Sequence, residues 1–279
     1  MRLVVQGSAI RHPHLVHIHQ LCGTSVQFVQ IGQHAYYLAN QAQPLPAVQA
    51  FCLQQQIDCS YVQDSQLLKK FGLCVMDMDS TLISIECIDE IADMVGIKPQ
   101  VAAITERAML GELDFAQSLR ERVALLKGLK EADLLRVRNE RLTLNPGAVE
   151  WVNCCKKNNI TTLLVSGGFS FFSDSVKAML GLDYAVSNDL EIIDGIVTGH
   201  VLGGIVDAQT KADELVKLRH QLGLTSAQTI AIGDGANDLK MMADAGIGIA
   251  YHAKPIVQAQ ATYALNYVGL DGVINLLTT

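Results

Sequence analysis

Short apolar runs separated by longer helix-compatible stretches set the frame of this chain. Leu73 to Met76, Thr161 to Val165 and Thr229 to Ile232 are compact β-rich runs. The second and third lead into helix-compatible segments, Ser170 to Leu180 and Leu239 to Ala245. Strands alternating with helices predict an α/β fold built on a parallel sheet. Leu190–Ile193 and Ile196–Val201 flank Asp194-Gly195, a hairpin signal inside that alternation. From Cys87 to Leu142 no strand is expected. Ile88, Ile91, Ala92 and Val95, and again Leu119, Val123 and Leu126, recur at helical spacing. Ahead of these parts the order is Leu3-Val4-Val5, a His-rich helical stretch, Val26 to Ile31, Ala35 to Leu38, a helix near Ala47 to Gln55, and Ile57 to Val62. That order predicts βαββαβ, a small α+β module of ferredoxin-like or amino-acid-sensing (ACT-like) type. The expected division is therefore a module at 1–70, an α/β core at 71–86 and 143–279, and a helical insertion at 87–142 that would cap the core.

Composition adds limits. With 279 residues, 49% of them hydrophobic, the chain can bury one large core and one or two small ones. No uncharged apolar run approaches a membrane span, and Met1 to Gln6 followed by polar, His-rich sequence is not expected to be a signal peptide. Seven cysteines without a Cys-x-x-Cys pair, mostly in apolar surroundings, suggest reduced core residues of a cytoplasmic protein; the vicinal pair Cys154-Cys155 suits an ordinary helix face. The net charge is −7, but residues 1–70 carry Arg2, Arg11, Lys69 and Lys70 against Asp58 and Asp64, so the remainder carries −9. An acidic body argues against nucleic acid as partner. An anionic ligand would have to be drawn in by local cations.

Candidate chemistry gathers where the apolar runs end. The first finishes in Asp77-Met78-Asp79-Ser80-Thr81-Leu82, the second in Ser166-Gly167-Gly168, the third in Gly233-Asp234-Gly235-Ala236-Asn237-Asp238. In open parallel sheets, ligands bind outside the carboxyl ends of the strands. Two carboxylates at i and i+2 repel unless a cation lies between them, so the first motif reads either as a divalent-metal site with a reactive Asp or as a solvated acidic turn. A strand, a Gly turn and a helix N-terminus can cradle phosphate on free N–H groups. Lys211 lies between the second and third runs. His12, His14, His17 and His19 raise a zinc reading, but no Cys or carboxylate completes a ligand set, and a polar helix face is the expectation.

Asp77 to Ile83, Glu86, Phe115 to Val123, Ser166 to Phe169, Lys211-Ala212-Asp213 and Gly233 to Asp238, in this order, resemble the haloacid dehalogenase (HAD) superfamily of phosphotransferases. Glu86 and the Arg122 segment are similar to its phosphoserine phosphatase branch. The likeness runs from about Leu73 onward. It implies a HAD-like Rossmannoid parallel sheet with a helical cap, and a Mg2+-dependent phosphomonoester hydrolase acting on O-phospho-L-serine, as in the last step of serine biosynthesis. It implies Asp77 as nucleophile and Asp79 as general acid and base. Asp77, the Asp79 backbone carbonyl and Asp234 would hold Mg2+. Ser166, Gly167 and Lys211 would bind the phosphoryl group, with Asn237 and Asp238 in support. Glu86 would pair the substrate ammonium and Arg122 its carboxylate, under an apolar lid of Met109 and Phe115. Two other classes remain: a phosphoacceptor signalling module, against which Asp79 argues, and an amino-acid sensor built on residues 1–70. Partners would be a small molecule, with no nucleic acid and no membrane; a homodimer is compatible with the sequence, which fixes no oligomeric state.

Overall fold

The computed structural model describes residues 1–278. The N-terminal module comprises β1 (Arg2–Gln6), α1 (His12–Cys22), β2 (Val29–Gly32), β3 (Ala35–Leu38), α2 (Pro46–Gln54) and β4 (Asp58–Val62). Its antiparallel sheet has the order β2-β3-β1-β4. Alternation in β1 explains why a central strand here is apolar on both faces. Leu3 and Val5 pack with Ile18, Val48 and Cys52 of the two helices, whereas Val4 joins Val62 in the core of the larger body. β2 starts later than the apolar run suggested. The Val26 N–H is bonded to the Thr24 hydroxyl and the Val26 carbonyl to the His19 ring, so neither is free for a ladder.

The larger body follows with β5 (Leu73–Met76), then four helices, α3 (Cys87–Met94), α4 (Lys98–Met109), α5 (Phe115–Ala124) and α6 (Glu131–Glu140). The chain then runs through α7 (Ala148–Lys157), β6 (Thr161–Phe169), α8 (Ser170–Leu180), β7 (Tyr184–Ile193), β8 (Ile196–Leu202), α9 (Ala208–Gln221) and β9 (Thr229–Gly233). It ends with α10 (Leu239–Asp244), β10 (Ile247–Tyr251), α11 (Pro255–Gln258), β11 (Tyr263–Leu265) and α12 (Gly272–Leu277). The seven-stranded sheet has the order β11-β10-β9-β5-β6-β7-β8 and is parallel except for β8. From β5 the chain adds β6 and β7 on one side and then crosses to β9 on the other. β5 and β9 thus flank the point where the winding reverses, the place where such sheets open a ligand crevice.

The two bodies are joined by buried polar contacts. The Asp58 carboxylate accepts from the backbone N–H groups of Asn266, Tyr267 and Val268 at 2.7, 2.9 and 3.2 Å. Arg2 donates to the carbonyls of Gln63, Gln66 and Leu276, and Gln6 to that of Gly272. No described helix is long and apolar enough to cross a membrane.

Candidate active site

The turn after β5 carries the first two carboxylates. Asp77 N–H is held by Ile232 O of β9, and a five-residue loop closes with Ile83 N–H on Met78 O. Within it Ser80 takes φ 55°, a left-handed conformation uncommon for a residue with a side chain. Asn145 stabilises the loop by donating through Nδ2 to the carbonyls of Thr81 and Ile83 at 2.8 and 3.0 Å, with Ser80 O at 3.3 Å. The turn thus aims Asp77 and Asp79 into one cleft, where an extended strand would only have put them on one face.

That cleft, about 170 Å³, is lined by Asp77, Asp79, Glu86, Ile88, Phe115, Leu119, Arg122, Ser166, Gly167, Gly168, Phe169, Asp234 and Asn237. Of the residues expected at the site from the sequence, Lys211, Asp238 and Met109 are not on this wall. Lys211 is 1% exposed and lies behind Asp77, its Nζ 2.8 Å from both Asp77 Oδ1 and Asp238 Oδ1. Asp238 is also fully buried, its Oδ2 accepting from Gly235 N–H. It anchors the lysine and the β9 turn. The signal that could have found this pairing is weak: one acid and one lysine, 27 residues apart, each among polar neighbours in the sequence.

Asp77 Oδ1 also accepts from Met78 N–H at 2.7 Å, so the known contacts fall on one oxygen and leave Oδ2 toward the cleft. Burial drives the Asp77 carboxyl upward, Asp238 adds to it and the Lys211 ammonium opposes. Burial alone would lower Lys211, but Asp77 and Asp238 hold its ammonium above the ordinary range. Burial pushes Asp234 up to about 6, with Asp238 contributing and the Thr81 hydroxyl, 3.0 Å from Asp234 Oδ1, opposing. The cause common to Asp77 and Asp234 is an excess of carboxylates over a single ammonium in a low-dielectric pocket. A cation would relieve it. Asp77, Asp234 and Asp238 bring ligand oxygens within 4.8 Å of one another, and theirs is the one such grouping of three metal-capable side chains among the described residues. Since both Asp238 oxygens are already engaged, Asp77 and Asp234 are the side chains free to hold a hard, oxygen-seeking ion. The His residues of α1 make no such group: His14 and His17 pack on Phe51.

Asp79 is half-buried, and its buried Oδ1 has no hydrogen-bond partner. Burial, reinforced by the Glu86 charge, lifts its carboxyl to about 7. Close approach explains Gly168, because a Cβ there would lie 3.2 Å from both Asp79 Oδ2 and Ser166 Oγ. The strand β6 runs through this glycine pair to Phe169, with its register against β7 shifted between Val165 and Phe169. Ser166 and Gly167 therefore sit in a bulge before α8, where the sequence suggested a turn at the helix N-terminus.

The cap supplies the other wall. Asp114 and Gln117 form a reciprocal capping box that starts α5. Phe115, Leu119 and Arg122, at i, i+4 and i+7, then share the face toward the cleft. Arg122 is half-buried, and its Nε donates to Ser118 O at 3.3 Å; no ion pair involves it among the described residues. Across the cleft Glu86 accepts from Ser80 Oγ at 2.7 Å. Phe115 reaches Gly167, where a Cβ would meet its ring at 2.8 Å. Met109, expected in the lid, is instead 74% exposed at the end of α4 and does not line the cleft.

Residues 74–243 match the model of haloacid dehalogenase-like hydrolases. A phosphoserine phosphatase of Vibrio cholerae is 52% identical over 223 residues, covering 80% of this chain and 68% of that protein. The crystal structure of a probable phosphoserine phosphatase from Vibrio cholerae, unliganded, aligns with a TM-score of 0.88 at 43% identity, covering 99% of this chain and 86% of the other. A phosphoserine phosphatase solved as a phospho-aspartyl intermediate analogue aligns at 0.69 and 38% identity, covering 75% of this chain and 99% of its own. The chain belongs to the haloacid dehalogenase-like hydrolases, in their phosphoserine phosphatase family.

Proposed function

We propose that the protein hydrolyses O-phospho-L-serine to serine and phosphate, the closing step of serine biosynthesis, through a phosphorylated Asp77. The observation that carries this reading is one small cleft with two chemically different ends. At one end Asp77 Oδ2, Asp79 with its unpartnered Oδ1, Ser166 and Gly167 surround room for a phosphoryl group; at the other, Glu86 and Arg122 offer opposite charges for a zwitterion. Uncatalysed phosphomonoester hydrolysis is extremely slow, so charge placement has to supply most of the acceleration.

Asp77 attacks phosphorus through a carboxylate oxygen, and Met78 N–H and Lys211, both on Oδ1, fix the carboxylate plane. Asp79, whose carboxyl keeps its proton up to about pH 7, gives that proton to the departing serine oxygen. It then takes a proton from the water that hydrolyses the aspartyl-phosphate. Ser166 and the Gly167 N–H bind phosphoryl oxygens, and Lys211 and Asn237 support them. Arg122 grips the substrate carboxylate and Glu86 the ammonium, while Phe115 closes over Gly167 and excludes water. Mg2+ is the ion proposed: Asp77, Asp234 and the Asp79 carbonyl would hold it, and when bound it would neutralise charge on the phosphoryl oxygens. The seven free cysteines support a reducing, cytoplasmic setting.

A phosphate-release assay over a panel of phosphomonoesters, with and without Mg2+, tests the reading. O-phospho-L-serine should lead the panel, and Asp77→Asn should be folded and inactive. A sugar phosphate as preferred substrate, or an active Asp77→Asn, would overturn it.

A further inference from the structure

The bulge that carries Ser166 and Gly167 and the helix that carries Lys211 belong to different elements, yet one fully buried side chain bonds both the bulge and the segment that leads into that helix. Asn188 lies on β7, opposite Phe169, where the β6 register is shifted. It is 0% exposed, and both ends of its amide are used. Nδ2 donates to Gly167 O at 2.8 Å, and Oδ1 accepts from Val206 N–H at 2.8 Å. Val206 immediately precedes Asp207, whose side chain caps α9 by accepting from Thr210 N–H at 2.8 Å. Lys211 N–H is in turn bonded to Asp207 O at 3.0 Å.

The contact with Gly167 O has a consequence for Ser166. The Gly167 carbonyl and the Gly168 N–H belong to one planar peptide unit and point in opposite directions. The carbonyl is held by Asn188, and the N–H donates to Ser166 Oγ at 2.9 Å. A hydrogen bond at each end fixes the rotation of that plane. With its oxygen already accepting from Gly168, the Ser166 hydroxyl has its proton free for another acceptor, and Ser166 lines the cleft. Releasing Gly167 O would let the peptide rotate and remove both constraints.

We infer that Asn188 is a positioning residue for phosphoryl binding: it orients the Gly167–Gly168 peptide, and with it the Ser166 hydroxyl, and fixes the distance from that bulge to the Lys211 helix. The inference rests on the phosphate-site reading of Ser166, Gly167 and Lys211, and it is independent of which alcohol the phosphate leaves.

Two variants of the full chain test it. Asn188→Asp keeps the shape and an oxygen for Val206 N–H but, ionised, has no proton for Gly167 O. Asn188→Ser reaches neither partner. Asp183→Ala is the control: it removes the acceptor shared by Thr162 N–H and Thr162 Oγ on the same sheet, outside the cleft. Melting temperature, kcat, KM and inhibition by inorganic phosphate are measured with O-phospho-L-serine and with p-nitrophenyl phosphate. Both Asn188 variants should lose kcat/KM on the order of 10- to 100-fold, by the same factor on both substrates, and should bind inorganic phosphate more weakly. Asp183→Ala should melt lower with kcat and phosphate inhibition unchanged. Folded Asn188 variants with unaltered phosphate inhibition, or a loss confined to O-phospho-L-serine, would overturn the inference. So would failure of both variants to fold, which would make the residue a determinant of the fold alone. A parent protein that hydrolyses p-nitrophenyl phosphate but not O-phospho-L-serine would refute the serine-head reading and leave the Asn188 test intact.

Discussion

Arg122→Ala probes the step from phosphatase to phosphoserine phosphatase most directly. The guanidinium faces the cleft from α5 with only its Nε committed, to Ser118 O at 3.3 Å. Its terminal N–H groups are therefore available for a planar, two-bond grip on a carboxylate. Burial lowers its pKa and Asp89 and Glu86 oppose, so the charge persists throughout the accessible pH range. Truncation removes that grip and leaves a substrate carboxylate desolvated beneath the cap without a counter-charge. Losing one partner of a buried charge pair costs about 2–5 kcal/mol. At about 1.4 kcal/mol per tenfold, kcat/KM for O-phospho-L-serine should fall by about 30-fold to several thousand-fold. The assay is steady-state phosphate release on three substrates. Phosphoethanolamine lacks the carboxylate, so it should be a poor substrate for the parent and nearly indifferent to the change. p-Nitrophenyl phosphate lacks the whole amino-acid head and should also be indifferent. Equal losses on all three would show that Arg122 supports the cap or the phosphate site, and the argument for serine as leaving group would fail.

Chelation with EDTA should abolish turnover and Mg2+ restore it, while Ca2+, which prefers more ligands at longer distance, should not; full activity in EDTA sinks the metal assignment. Asp79→Asn should cripple turnover of O-phospho-L-serine but impair the first step less on p-nitrophenyl phosphate, whose leaving group departs without a proton; equal loss of aspartyl-phosphate formation would contradict an acid role. Glu86→Gln removes the like charge that, after burial, raises Asp79, so the alkaline limb of kcat/KM, where the acid loses its proton, should move to lower pH; a shift upward reverses the electrostatic reading. Asp58→Ala strands three backbone N–H groups at the junction of the two bodies and should cost about 3 kcal/mol in urea unfolding, and an unchanged midpoint would show that the junction contributes nothing.

What was legible in the sequence was what local pattern decides. Strand ends bearing Asp77, Ser166 and Asp234, the helical spacing of Ile88 to Val95, and the hairpin at Asp194-Gly195 each state their structure within a few residues. The alternation of β1 gave a strand, and only its second buried face, through Val4, required the larger body. Less visible were partnerships between distant residues. Nothing near Lys211 announces that it will lie between Asp77 and Asp238, and nothing near Asn188 announces Gly167 and Val206. The glycine pair after Val165 was read as a turn, because a bulge and a turn share the same composition; only pairing with β7 separates them. The resemblance implies a lid at Met109, yet its exposure depends on how α4 lies, which the local pattern leaves open.

The distribution of charge explains why an acidic chain can bind a phosphate ester. Around the reacting position stand Asp77, Asp79, Asp234 and Asp238 against one Lys211. A phosphate dianion added to that set would be repelled, so the site must be completed by a cation and by protonation of Asp79. Both conditions favour the chemistry. The cation is needed where charge develops on the phosphoryl oxygens, and the proton is needed where the leaving oxygen departs. Lys211, held against Asp77 and Asp238, is turned from a mobile surface cation into a fixed element that orients the nucleophile. On the function proposed above, the carboxylate excess that raises Asp77 and Asp234 would also keep the site poorly matched to phosphate without a metal, and so would tie substrate affinity to metal occupancy.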